Sequence, residues 1–196
     1  MYLIKLFYSD SIFYREKNQT NNYKIRCALN VHLRRKGFID MKAEYINLFL
    51  NAAVQVFQEI TQINLEMGGT SLRKGSHYDR NVIILIGITG QIKGSISVSM
   101  DSDYAMTIAS KMMGGMPVTE FDDIPQSAVR EIVNMIMGRV ATLFEKEGTI
   151  IDITPPTLMI GEKISVSTQV SPTIVISLKD AALGQNVIDL DISIMD

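Results

Sequence analysis

The sequence predicts an α+β fold, long amphipathic helices packed on a mainly antiparallel sheet, and three observations carry that prediction. Apolar residues recur at spacings of three and four in two long stretches, the period of a helix with one buried face. Around them lie runs in which apolar residues alternate with small polar ones, the period of a strand with one face in a core. The order helix, strands, helix, helix, strands puts the helices on one side of an antiparallel sheet, not between parallel strands.

In chain order, Ile46, Phe49, Leu50, Ala53, Val54, Phe57 and Ile60 give a first helix of about twenty residues starting near Met41. The polar stretch from Gly68 to Arg80 reads as a connection. Val82 to Thr89 is a β-rich run closed by Gly90-Gln91, after which Ile92, Gly94, Ile96, Val98 and Met100 alternate with Lys93, Ser95, Ser97 and Ser99, which makes a hairpin with one buried face. Asp101, Ser102 and Asp103 are N-cap types heading a helix with Ala105, Met106, Ile108, Ala109, Met112 and Met113, stopped by Gly114-Gly115. Asp122-Asp123-Ile124-Pro125 opens the next helix, with carboxylates at its positive end and a proline whose missing N–H costs nothing there. That helix ends at Gly148. Three strands are expected through Ile164, Val166, Thr168 and Val170, then Ile174, Ile176 and Leu178, then Ile188, Leu190, Ile192 and Ile194. Each half of residues 41–196 thus holds a long amphipathic helix followed by a hairpin, so a pseudo-two-fold internal duplication is expected.

Composition narrows the function classes. The chain of 196 residues, 46% hydrophobic, suffices for one sizeable core. No apolar run reaches the roughly 18 residues of a membrane span, and the short run Met1 to Tyr8 contains Lys5 and meets no cleavage-site pattern. A cytoplasmic protein with no membrane partner is expected. Cys27 is the single cysteine and His32 and His77 the only histidines. No disulfide framework, thiolate metal cluster or Ser-His-Asp arrangement is legible, and no metal site is expected.

The net charge of −2 is unevenly spread. Residues 1–40 carry eight Lys/Arg against three Asp/Glu, net +5, leaving eleven against eighteen, net −7, in residues 41–196. Four of the seven tyrosines also lie in the first forty residues. Residues 1–40 read as a basic, disordered extension and 41–196 as the working domain. Arg34-Arg35-Lys36-Gly37 would be encoded by purine-rich codons, as a translated ribosome-binding site would be, so the natural start is expected at Met41. A basic arm interleaved with tyrosine is also a pattern of nucleic-acid binding, but with no periodicity in the segment no nucleic-acid partner is expected.

Helical geometry isolates one candidate site. At 100° per residue, Ser127, Glu131, Asn134 and Gly138 fall within roughly 60° of one another. Val129, Ile132, Val133, Ile136, Val140 and Leu143 take the other side. A Glu and an Asn stand one turn apart, and Gly138 has no side chain to cover them. The plain alternative is a solvated polar face, with a glutamate favoured by the helix dipole and an asparagine tolerated. A Glu-x-x-Asn pair is expected on the order of once by chance in a chain this long. Glu44-Tyr45-Ile46-Asn47 repeats it.

The surroundings of the second pair are more specific. Ser127-x-x-x-Glu131-x-x-Asn134, followed after 21 residues by Pro156 within Asp152-Ile153-Thr154-Pro155-Pro156-Thr157, resembles the signature of the CheC/CheX/FliY phosphatases of bacterial chemotaxis. Gly87-Ile88-Thr89-Gly90-Gln91-Ile92-Lys93-Gly94-Ser95 and Met112-Met113-Gly114-Gly115-Met116 resemble the CheX branch in particular. The likeness runs over essentially all of residues 41–196 and over none of residues 1–40.

The resemblance implies a phosphatase that removes the phosphoryl group from the phosphoaspartate of the response regulator CheY, ending the signal that sets flagellar rotation. On that reading Glu131 and Asn134 are catalytic, Glu131 pairing with the partner's active-site lysine and Asn134 orienting water. Ser127, Gly138 and Pro156 support them. No cofactor is expected in this chain, and Mg²⁺ is expected in the partner, a phosphorylated CheY-like regulator. Glu44 and Asn47 form a candidate second site, but Leu48, Phe49, Leu50 and Asn51 stand where the other helix has Met135, Ile136, Met137 and Gly138. The alternative function is a non-catalytic CheC/FliM-like docking module. By analogy with relatives, a homodimer could form by edge pairing of an alternating strand such as Ile188 to Ile194.

Overall fold

The computed structural model describes residues 4–8, 11–17, 23–27, 43–73, 77–166 and 173–195. Three short antiparallel strands come first, β1 (Ile4–Tyr8), β2 (Ser11–Lys17) and β3 (Tyr23–Cys27), paired in that order. They lie within the segment read from composition as a disordered extension. Met41 lies outside the described residues.

The larger body begins with helix α1 (Ala43–Thr61) and runs through β4 (Leu65–Arg73), β5 (Val82–Gly90), β6 (Lys93–Met100), α2 (Ser102–Met112), α3 (Asp123–Lys146), β7 (Ile151–Ile153), β8 (Thr157–Ile160), β9 (Thr173–Asp180) and β10 (Gln185–Met195). The helices form where the apolar period is longest. The side chains of Phe49, Leu50, Ala53, Phe57, Val129, Ile132, Val133, Ile136 and Val140 are all buried. The strands supply Ile84, Ile86, Val98, Leu190 and Ile192 to the same core. Tyr45 and Phe49 at the start of α1 meet Phe144 at the end of α3, with ring centroids 5.0 and 5.7 Å apart, so the two long helices lie antiparallel. Arg139 on α3 grips Glu59 on α1 through two hydrogen bonds of 2.7 Å.

The seven-stranded sheet has the order β4-β9-β10-β6-β5-β7, with β8 also on β5. Every pairing in it is antiparallel. Exchanging α1-β4-β5-β6 with α3-β7/β8-β9-β10 leaves that order unchanged, because β6 and β10 pair at the centre and each outer strand joins the second strand of the other half. The expected pseudo-two-fold duplication is therefore visible as topology.

Several expectations need correction. Residues 68–73, polar enough in sequence to suggest a connection, complete β4. The alternation that begins with buried Leu65 and Met67 is broken by a register shift at Gly68. A Cβ at Gly68 would come within 2.0 Å of Asn186 Oδ1, so the glycine marks a bulge, not a loop.

Residues 151–160 carry two strands, β7 and β8, where the sequence suggested only a proline turn. Both pair with β5, Ile88 facing Ile153 and Leu85 facing Thr157. They are one edge strand interrupted at Thr154-Pro155-Pro156, and an edge or a bulge is where proline is tolerated in a sheet. Of the strand expected from Ile164, the described residues show an isolated bridge between His77 and Ser165, and Thr168 and Val170 lie outside them.

Finally, β10 is enclosed by β6 and β9 and cannot serve as the edge of a homodimer. Its alternation looks the same at an edge or at the centre, because strand order is not written in the period. Among the described residues the outermost strand beyond β9 is β4.

Candidate active site on the third helix

α3 starts at an extended Asp122, without a side-chain cap, and runs 24 residues. Gln126 Nε2 donates to the Phe121 carbonyl at 2.8 Å, pinning the chain that enters it. With Val129, Ile132, Val133, Ile136, Met137 and Val140 in the core, the opposite stripe must face outward. Ser127, Glu131 and Gly138 are exposed and Asn134 is half-buried. Neither Glu131 nor Asn134 has a hydrogen-bond or ion-pair partner among the described residues. Ser127 Oγ accepts from Arg130 Nη2 at 3.1 Å. A Cβ at Gly138 would meet nothing within 4 Å, so no element of this chain overhangs the two side chains.

Pro156 is half-buried in the link between β7 and β8, strands against which α3 packs. Thr154, which has no assigned role in the run Asp152 to Thr157, fixes this link. Thr154 Oγ1 accepts from the Gly87 amide at 2.8 Å, and the Thr154 amide donates to the Gly87 carbonyl at 3.0 Å. A Cβ at Gly87 would lie 3.0 Å from Thr154 Cγ2. The glycine in Gly87-Ile88-Thr89-Gly90 thus has a packing reason, and the Pro155-Pro156 kink starts from a stapled residue.

Glu44 and Asn47 lie apart from this stripe, at the start of α1. Glu44 is exposed and Asn47 half-buried. Asn47 and Asn51 are each engaged by an interaction within the protein.

The sheet face away from the helices is polar and largely covered. Arg73 holds Asp191 by hydrogen bonds of 3.0 and 3.1 Å and lies over the Tyr78 ring at 4.4 Å. Tyr78 Oη and Ser97 Oγ share a hydrogen bond of 2.7 Å, and Ser97 donates to Asp191 at 3.1 Å. Burial pushes the Asp191 carboxyl above its ordinary range, against the pull of Arg73, and likewise raises the Tyr78 phenol. The cavity beside them, lined by Leu85 and Val166 among others, is about 10 Å³. It holds a single water at most, whereas a small-molecule site needs roughly 300 Å³. Among the described residues no group of three or more His, Cys, Asp or Glu could hold a metal, and no helix is long and apolar enough to cross a membrane. These residues tie the sheet together.

Comparison with known proteins places the chain in a family. The family model described as chemotaxis phosphatase CheX matches residues 82–179, half of the chain. The chain belongs to the CheX family. The matched span contains Ser127, Glu131, Asn134, Gly138 and Pro156, and leaves Glu44 and Asn47 outside. CheY-P phosphatase CheX of Thermotoga maritima is 29% identical over 154 residues, 79% of this chain and 97% of that protein. CheX of Borrelia burgdorferi, solved in a CheX-CheY-BeF3-Mg²⁺ complex, is 30% identical, with a TM-score of 0.65 over 78% of this chain and 98% of that one. A CheC-like protein from Shewanella, 23% identical, shares the fold with a TM-score of 0.70 over 80% of this chain and all of that one.

Proposed function

We propose that this CheX-family protein hydrolyses the phosphoaspartate of a CheY-type response regulator, with Asn134 and Glu131 as its catalytic residues. The observation that carries the reading is an exposed Glu131 and a half-buried Asn134 on one outward stripe of α3, neither committed to a partner within the described residues. Two of the relatives above support the substrate, one named as a CheY-P phosphatase and the other solved with CheY. Beryllofluoride mimics a phosphoryl group, so the second describes an encounter with the activated regulator.

An aspartyl phosphate is an activated acyl phosphate, and its hydrolysis needs an aligned water more than a nucleophile. Water oxygen attacks phosphorus in line with the bond to the aspartate, that P–O bond breaks, and the aspartate leaves as a carboxylate with inorganic phosphate as the second product. Asn134 has both a donor and acceptors, so it can hold the water in that line. Glu131, one turn away, pairs with the regulator's lysine and sets the depth at which Asn134 enters the pocket. Charge neutralisation of the phosphoryl oxygens by Mg²⁺ belongs to the regulator. The bare backbone at Gly138 gives the regulator clearance. A reaction on CheY also implies a cytoplasmic location.

Phosphate release from CheY charged with acetyl phosphate tests the reading. The protein accelerates release over the spontaneous rate. A protein that bound CheY but left that rate unchanged would be a docking module of the same fold.

A further inference from the structure

The stripe that carries Glu131 does not start at Ser127. Ile124, seven residues before Glu131, lies only about 20° from it around the helix and about 10 Å along the axis. It is 67% exposed, the greatest exposure of any large apolar side chain among the described residues, and Met116, in the link from α2 to α3, is 58% exposed. A single exposed isoleucine is ordinary on a surface; its place here is what matters. The backbone presenting both residues is held, by Ser110 Oγ donating to the Met116 carbonyl at 2.7 Å and by Gln126 donating to the Phe121 carbonyl. Asp122 and Asp123 beside it are exposed and make no ion pair among the described residues.

A specific protein interface covers roughly 800 Å² on each side, a patch about 30 Å across. A regulator whose phosphoaspartate reaches Glu131 and Asn134 therefore also covers a residue about 10 Å from Glu131. We propose that Ile124 is an apolar anchor of that interface, seated on an apolar part of the phosphorylated receiver surface beside its pocket, with Asp122 and Asp123 turned to basic groups at the rim. This rests on the CheY-P reading and adds to it a residue that sets partner affinity and takes no part in the chemistry.

The test is the rate of phosphate release from CheY-P as a function of CheY-P concentration, with the full chain carrying Ile124→Ser or Ile124→Leu. Removing the apolar contact raises KM about tenfold and leaves kcat within about twofold, and Ile124→Leu restores the wild-type KM. Binding to beryllofluoride-activated CheY follows the same pattern in Kd. Because the side chain is exposed, thermal unfolding of Ile124→Ser stays at the wild-type temperature. Active wild type with an unchanged KM in Ile124→Ser overturns the proposal alone, as does a fall in kcat at constant KM or a change only in self-association. A wild type that neither binds nor dephosphorylates CheY overturns this proposal together with the CheY-P reading.

Discussion

α1 and α3 carry the same four-residue spacing, related by the exchange that leaves the strand order unchanged, and yet the two pairs sit in different surroundings. Glu131 is the ninth residue of its helix and follows two turns that hold Ile124 and Ser127 in line with it, whereas Glu44 is the second residue of its own. Asn134 has no partner among the described residues, while Asn47 is engaged within the protein. Four residues beyond each asparagine stands Gly138, with open space where a Cβ would be, or Asn51, which is also engaged. The pair on α3 thus keeps both side chains uncommitted and its flank bare. On α1 the asparagine and the residue four positions beyond it are already engaged within the protein.

The largest expected effect separates chemistry from docking. Asn134→Ala lowers kcat by about a hundredfold to a few thousandfold, roughly 3 to 5 kcal/mol of transition-state stabilisation, and still binds activated CheY in a titration. Glu131→Ala follows with a loss of about 2 kcal/mol or more, because an interfacial lysine is left without its partner. Its signature is a fall in both affinity and turnover, read from KM and kcat together.

Gly138→Ala then sharpens the comparison by opposing stability and activity. Alanine is up to about 1 kcal/mol better than glycine inside a helix and finds open space here, so thermal unfolding rises. Turnover falls severalfold, because the added methyl meets the regulator and not this chain. Asn51→Gly, the reciprocal change on α1, lowers stability and creates no activity.

The smallest effect concerns the bridge between the helices. The hydrogen bonds from Arg139 hold the Glu59 carboxyl below its ordinary value of 4.5. Its contribution is therefore present above that pH and lost as pH falls through the lowered value. Both partners are substantially exposed, so Glu59→Gln costs less than about 1 kcal/mol. In urea titrations the difference from wild type is present at neutral pH and vanishes in acid or at high salt.

Much of this was legible in the sequence because the signal was local. The 3.6-residue period in Phe49, Leu50, Ala53 and Phe57, and in Val129, Ile132, Val133 and Ile136, fixes two helices and their buried faces. The alternation from Ile92 to Met100 fixes a strand. What escaped depended on distant partners. β4 was hidden because Gly68 breaks its alternation to let Asn186 in. β7 and β8 were hidden because an edge strand can absorb Pro155 and Pro156. The stripe of Ser127, Glu131, Asn134 and Gly138 could be drawn on a helical wheel, and motif resemblance could attach roles to it. The staple between Thr154 and Gly87 could not be drawn, since it is set by a neighbour that the fold brings in. Ile124 was legible as a helix start, and its alignment with Glu131 at a spacing of seven was present in the same wheel.

The central claim, that one of two identically spaced pairs is catalytic, is tested most directly by phosphate release from CheY charged with acetyl phosphate, with wild type, Asn47→Ala and Asn134→Ala measured side by side. The account predicts that Asn47→Ala stays within about twofold of wild type and that Asn134→Ala falls by about a hundredfold or more. Wild-type release from Asn134→Ala, or an equal collapse in Asn47→Ala with its fold intact, would contradict it.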